Sequence, residues 1–165
     1  MKKAQISYHR SFPWTPVSGW AGARWRGYVP RLSQSGQRMS PTTRDHPFRF
    51  QRKQWCLLKV EFDGVGLVFA TPQELDHFID VLSRNPLPNG GSLIKGRTRP
   101  GKPNGHWLSR LPTRARSWKF RQKLCRYLQE QPQIGEFRAF YAEQPVRYTF
   151  EGFYDNFYEA ARAQP

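Results

Sequence analysis

Apolar periodicity is clearest between residues 55 and 84. WCLLKVEF (55–62) has strand composition, and VGLVFA (65–70) returns as a second strand after Asp63-Gly64, a dipeptide suited to a tight hairpin. Thr71-Pro72-Gln73-Glu74 then forms a capping box with proline at the first helical position. Leu75, Phe78, Ile79 and Leu82 follow at i, i+3, i+4 and i+7, one apolar helical face, with Asp76 and Asp80 on the other side. The helix is predicted to end near Arg84, because Asn85-Pro86 disfavours its continuation.

Residues 86–105 read as a Gly/Pro loop of unusual length for a compact domain. A second helix is predicted over about 114–131, ending before Pro132, with Phe120, Leu124 and Leu128 facing a core. EFRAFYA (136–142) and VRYTF (146–150), split by Glu143-Gln144-Pro145, read as short strands. Phe150, Phe153, Tyr154, Phe157, Tyr158 and Ala161 have helical spacing, which predicts a C-terminal helix with a core-facing aromatic stripe. Glu151, Asp155 and Glu159 would face out. The expected order is ββα-loop-αββα, an α+β fold with a small mixed sheet of hairpins and about three helices.

The first 54 residues sustain neither period and are rich in Ser, Pro, Gly and Arg. They read as an extended basic N-terminal arm that is also aromatic, carrying Tyr8, Phe12, Trp14, Trp20, Trp25 and Tyr28. Disordered segments are usually poor in such rings. The arm therefore either packs over the domain or orders on a partner. The division is an arm at 1–54 and a single α+β domain at 55–165, with a basic Gly/Pro loop at 86–107.

Length and composition leave this picture intact: 165 residues with 38% hydrophobic and 15% aromatic content suit one core. Charge changes it. The chain carries 27 Lys and Arg against 12 Asp and Glu, a net charge of +15, and such a field attracts polyanions. Residues 1–54 and 92–130 each hold eleven basic residues and one acid, whereas 55–91 and 131–165 are mildly acidic. The acidic blocks coincide with the clearest scaffold, so scaffold and contact surface separate along the chain.

Three features in the basic blocks suit a phosphate backbone. Arg116, Lys119, Lys123 and Arg126 fall in one narrow sector of the predicted helix, opposite its apolar stripe. A solvated face normally mixes Lys with Glu, yet no acid occurs from 81 to 129, so these like charges repel without compensation. The loop KGRTRPGKPNGHW (95–107) adds Lys95, Arg97, Arg99 and Lys102, with His106 and Trp107 at its end. Arg110 and Arg114 continue the run towards the helix. In the arm, Arg24, Trp25 and Arg26 interleave a ring with cations, as binders of unpaired bases do. The alternative there is that the tryptophans clamp the arm to the domain.

Catalytic signals are weak. His9, His46, His77 and His106 lack partners at metal-ligand spacing, and His77 is expected to be solvated. His106, beside the basic loop, is the best acid–base candidate and stands alone. Glu61 and Asp63 could hold Mg²⁺ in a nuclease, but Asp63 serves the turn and Glu61 an alternating strand. GGSLIKGRT lacks the spacing of a nucleotide-binding P-loop. No catalytic residue, metal or cofactor is assigned. Cys56 and Cys125 sit in hydrophobic patterns and read as buried free thiols. No apolar run is long enough for a membrane span and the N-terminus lacks a signal-peptide core, so a cytoplasmic location without membrane partners is expected.

The expectation is a non-catalytic nucleic-acid-binding protein, for DNA or RNA, acting within a nucleoprotein complex. The rivals are a small basic subunit or inhibitor docking on an acidic protein surface or on a nucleic-acid-binding protein, and a metal-dependent nuclease.

Overall fold

Asp63 and Gly64 adopt φ of 47° and 77°, the paired left-handed values of a two-residue hairpin whose twist matches that of its strands. The computed structural model that contains this turn describes residues 1–23, 31–39, 47–94, 105–148, 154 and 157–162. In chain order these form strand β1 (Lys2–His9), short strands β2 (Arg31–Leu32) and β3 (Arg38–Met39), and one-turn helix α1 (Phe48–Gln51). The hairpin strands β4 (Trp55–Phe62) and β5 (Val65–Phe69) come next, then helices α2 (Pro72–Ser83) and α3 (Gly90–Ile94). Two 3-10 turns, Trp107–Arg110 and Thr113–Arg116, lead into α4 (Trp118–Glu130), α5 (Pro132–Ala142) and α6 (Phe157–Arg162). The fold is α+β: an antiparallel sheet in the order β1-β4-β5, a separate antiparallel β2-β3 pair, and helices.

Cys56, Leu58, Val60 and Phe62 of β4 are all buried and share the face on which Leu58 pairs with Phe69 and Phe62 with Val65. Helices cover this face: Phe62 meets Phe120 and Tyr127 of α4 at 5.4 and 5.2 Å, and Phe69 meets Phe78 of α2 at 5.1 Å. Tyr141 pins α5 to the sheet. Its hydroxyl accepts from the Cys56 N–H at 2.9 Å and lies 2.8 and 2.7 Å from the Cys56 and Ala70 carbonyl oxygens, either of which can take its proton. Burial holds this phenol well above its ordinary pKa.

Helix α2 starts and stops where the capping box and Asn85-Pro86 place it: the Thr71 hydroxyl accepts from the Glu74 N–H at 3.3 Å. Three other expectations are corrected. EFRAFYA is the second half of helix α5, not a strand. Pro132 opens that helix at its first turn, and Ile134, Phe137 and Tyr141 are buried at i, i+3 and i+7, so the helical period wins over the short alternating run. Residues 146–148 of the second expected strand lie outside any element, and 149–150 fall outside the described residues. Tyr158, assigned to the core stripe of the last helix, is 72% exposed, and Phe150 and Phe153 lie outside the described residues.

The arm is revised most. Residues 2–9 are an edge strand of the sheet, with Ala4, Ile6 and Tyr8 opposite Val60, Leu58 and Cys56, so the boundary at 54 cuts through one structural unit. Beyond β1, Phe12 is buried and stacks on Phe48 at 4.0 Å, with Trp14 and Trp55 edge-on to it. Trp20 packs on His106 at 4.2 Å. These described rings clamp the segment to the domain, whereas Trp25 and Tyr28 lie outside the described residues.

Candidate nucleic-acid interface

The chain from 106 onward first turns inward. His106 caps the first 3-10 turn, its Nδ1 accepting from the Leu108 N–H at 3.1 Å. Trp107 lies on Phe78 at 4.6 Å, and its indole N–H donates to His77 Nε2 at 3.2 Å. Both His106 and Trp107 are buried, at 1% and 4% exposure. Neither ring therefore joins the exposed cations: Trp107 packs on α2, and His106 lies between Trp107 and Trp20 of the 11–23 segment. His77 is likewise half-buried and hydrogen-bonded rather than solvated.

From Arg110 onward the cations turn outward. Arg110, Arg114, Arg116, Lys119, Lys123 and Arg126 are all exposed, and none forms an ion pair with an acid among the described residues. At about 100° per residue, Lys119, Lys123 and Arg126 of α4 span a sector of roughly 60°. Two of the arginines are steadied without being neutralised. Arg114 Nη2 donates to the Gly64 carbonyl at 2.7 Å, and Arg116 Nη2 to that of Ser109 at 3.0 Å. A guanidinium has five N–H donors in a rigid fork, so each keeps donors for another partner. The φ of 77° favours glycine at position 64, and a Cβ there would lie 2.5 Å from Arg114 Nη2 and displace that guanidinium.

Arg121 breaks the pattern. It is 3% exposed, with Nη1 donating to the Leu82 and Arg84 carbonyls at 2.7 Å each and Nε to that of Arg116 at 3.0 Å. It thereby satisfies carbonyls at the C-terminal end of α2, which have no partner within their own helix, and ties α4 to α2. Desolvation lowers its pKa from the ordinary value. Its guanidinium lies 5.0 Å from the Trp118 ring, and that tryptophan is 39% exposed at the start of the cationic helix. An exposed indole among cations offers a face on which an unpaired base can stack, and Trp118 is so placed.

Lys95, Arg97, Arg99 and Lys102, and in the arm Arg24, Trp25 and Arg26, lie outside the described residues. Of the rival carboxylates, Asp63 adjoins this region, since it precedes Gly64, whose carbonyl Arg114 binds. Asp63 holds the hairpin turn, and its N–H donates to the Met1 carbonyl at 2.9 Å. Among the described residues no group of three or more His, Cys, Asp and Glu is arranged to hold a metal ion, and no helix is long and apolar enough to cross a membrane.

No protein-family model matches the chain, and no curated protein or solved structure shows significant similarity to it. The site therefore stands on its own geometry.

Reading the sequence for charge alone missed the distinction between Arg121 and its neighbours. Helical phase carries the signal. Arg121 lies about 200° from Lys119 by the same 100° step, on the side of Leu124, Cys125 and Leu128, all buried.

Proposed function

We propose that this chain binds nucleic acid without catalysing a reaction on it. The exposed cations between Arg110 and Arg126 form the principal phosphate-contacting surface. One observation carries the reading: six exposed basic side chains follow one another along this stretch, and none of them is neutralised by an acid among the described residues. Maintaining such a row costs repulsion within the folded chain, and a polyanion removes that cost by neutralising the row. Lys95, Arg97, Arg99 and Lys102 extend the row in sequence, and Arg24 and Arg26 supply further cations. Trp118 offers a ring for an unpaired base.

The test is fluorescence anisotropy of the full chain with labelled single-stranded DNA, single-stranded RNA and duplex DNA across a salt series. The wild type is compared with a Lys119→Glu, Lys123→Glu, Arg126→Glu triple variant. These three side chains are exposed, so the variant is expected to fold. Loss of binding with retained circular dichroism supports the proposal. Wild-type affinity and salt dependence in the triple variant would sink it.

A further inference from the structure

The two edges of the three-stranded sheet are chemically unlike. β1 opens with Lys2-Lys3, and charge on an edge strand discourages pairing with another chain. β5 reads Val65-Gly66-Leu67-Val68-Phe69, with neither charge nor proline, and no strand pairs with its outer side among the described residues. The hairpin register settles which backbone groups face outward. The residues flanking a two-residue turn, Phe62 and Val65, exchange both backbone hydrogen bonds, so Val65, Leu67 and Phe69 bond towards β4. Gly66 and Val68 therefore direct their N–H and C=O groups away from the sheet.

A groove of about 310 Å³ runs along this edge, lined by residues 64–69 and by Val17, Phe78, Trp107, Leu111 and Pro112. Arg110 is the one charged residue among those that line it. An unprotected strand edge beside an apolar groove with a single cation has the parts for strand addition: backbone bonds for affinity, and a pocket for alternate side chains.

We propose that β5 takes an extended acidic–apolar polypeptide segment of another protein as a fourth strand. Gly66 and Val68 supply the backbone bonds, apolar side chains of alternate residues enter the groove, and a carboxylate meets Arg110. Charge selects this occupant. A second copy would bring another net charge of +15 and a second Arg110 to the same place, and like charges oppose that pairing. A nucleic-acid strand would satisfy Arg110 but cannot continue a backbone ladder or fill an apolar groove. The proposal does not rest on the nucleic-acid reading.

The full chain is titrated with a fluorescein-labelled octapeptide of alternating Glu and Val, against its Lys-Val counterpart and a labelled single-stranded oligonucleotide. Amide exchange at Gly66 and Val68 is followed in parallel. The Glu-Val peptide should bind and the Lys-Val peptide should not, and both amides should go from rapid exchange in the free chain to protection in the complex. Val68→Pro removes one outward N–H, a change tolerated on an edge strand. That variant and Arg110→Glu should each weaken peptide binding at least tenfold, and Val68→Pro should leave oligonucleotide binding unchanged. Should Val68→Pro fail to fold, Arg110→Glu and the exchange data decide. The proposal is overturned if the Glu-Val peptide does not bind, or if Arg110→Glu binds it as the wild type does. Amides already protected in the free monomer would mean that the chain covers its own edge. A dimer lost in Val68→Pro would assign the edge to a second copy, and oligonucleotide protecting these amides would assign it to nucleic acid. Each of these outcomes also overturns it.

Discussion

The Ser18 hydroxyl donates to Glu74 Oε1 at 2.5 Å, at a position where both residues have 0% exposure. The Thr15 hydroxyl and the Ala70 N–H donate to the other oxygen at 2.8 and 2.7 Å. The residue expected to close the capping box of α2 on the Thr71 N–H takes the Ala70 N–H instead, and it holds the 15–18 segment against that helix. This bond fixes an N-terminal stretch that carries no regular secondary structure of its own.

Burial pushes the Glu74 carboxyl above its ordinary value of 4.5, and the three hydrogen bonds oppose that shift without cancelling it. Between the unfolded and the higher native pKa, the native state holds a proton that the unfolded chain has released. The contribution of Glu74 to stability is therefore full below about pH 4.5 and declines as pH rises through the native value. Glu74→Gln keeps the shape and cannot titrate. The difference in urea-unfolding free energy between wild type and Glu74→Gln should shift against the wild type as pH is raised from 4. A pH-independent difference would refute this account.

Arg121 is a positioning residue inside a row of contact residues. Arg121→Met keeps the length of the side chain but leaves the Leu82, Arg84 and Arg116 carbonyls without their donor, at a cost of about 2–4 kcal/mol, since hydrogen bonds to charged groups are the stronger class. Arg121→Lys should recover little, because an ammonium cannot reproduce the fork. By contrast, Lys123→Met on the exposed side should alter stability by less than about 0.5 kcal/mol. Chemical denaturation of the three variants checks the contrast.

Charge removal should be visible in the salt dependence as well as in affinity. Neutralising Lys119, Lys123 and Arg126 together should flatten the slope of log K against log salt by about 2.7 for duplex DNA and about 2 for a single strand, if each meets one phosphate. An unchanged slope in the triple glutamine variant would place the phosphate contacts elsewhere.

Two tryptophans eleven residues apart should respond oppositely to truncation. Trp107→Ala empties a site packed on Phe78 and should cost about 3–5 kcal/mol of stability. Trp118→Ala should cost far less stability and weaken single-strand binding by about 1–3 kcal/mol, the usual contribution of one stacked base. Equal losses of stability in the two variants would argue against this division.

Cys56 is fully buried, with its thiol pushed up to about 11, and burial also raises Cys125. Thiolate is the reactive form. At pH 8 the native protein should react slowly with an aromatic disulfide reagent, and two thiols should appear on unfolding. Rapid native-state labelling of either one would contradict the packing.

The local grammar of residues 55–84 was sufficient by itself. Asp63-Gly64 names its turn, Thr71-Pro72 names a helix start, and Asn85-Pro86 names its end, because these signals act over a few residues. Helical phase along the expected helix of 114–131 likewise separated an apolar from a cationic face, although Arg116 of that face lies in the 3-10 turn before α4. Elsewhere the decision was tertiary. Lys2–His9 offers only Ala4 and Ile6 as aliphatics, and becomes a strand because β4 supplies the other half of each hydrogen bond. EFRAFYA fits two periods on its own, and the pairing of Tyr141 with Cys56 and Ala70 accompanies the helical one. Trp107 and Trp118 are the same residue type in the same basic stretch, yet one fills the core and the other meets solvent. No property of the residue separates them. What separates them is which surface of α2 and of the 11–23 segment lies opposite, and that is known only once the chain has closed on itself.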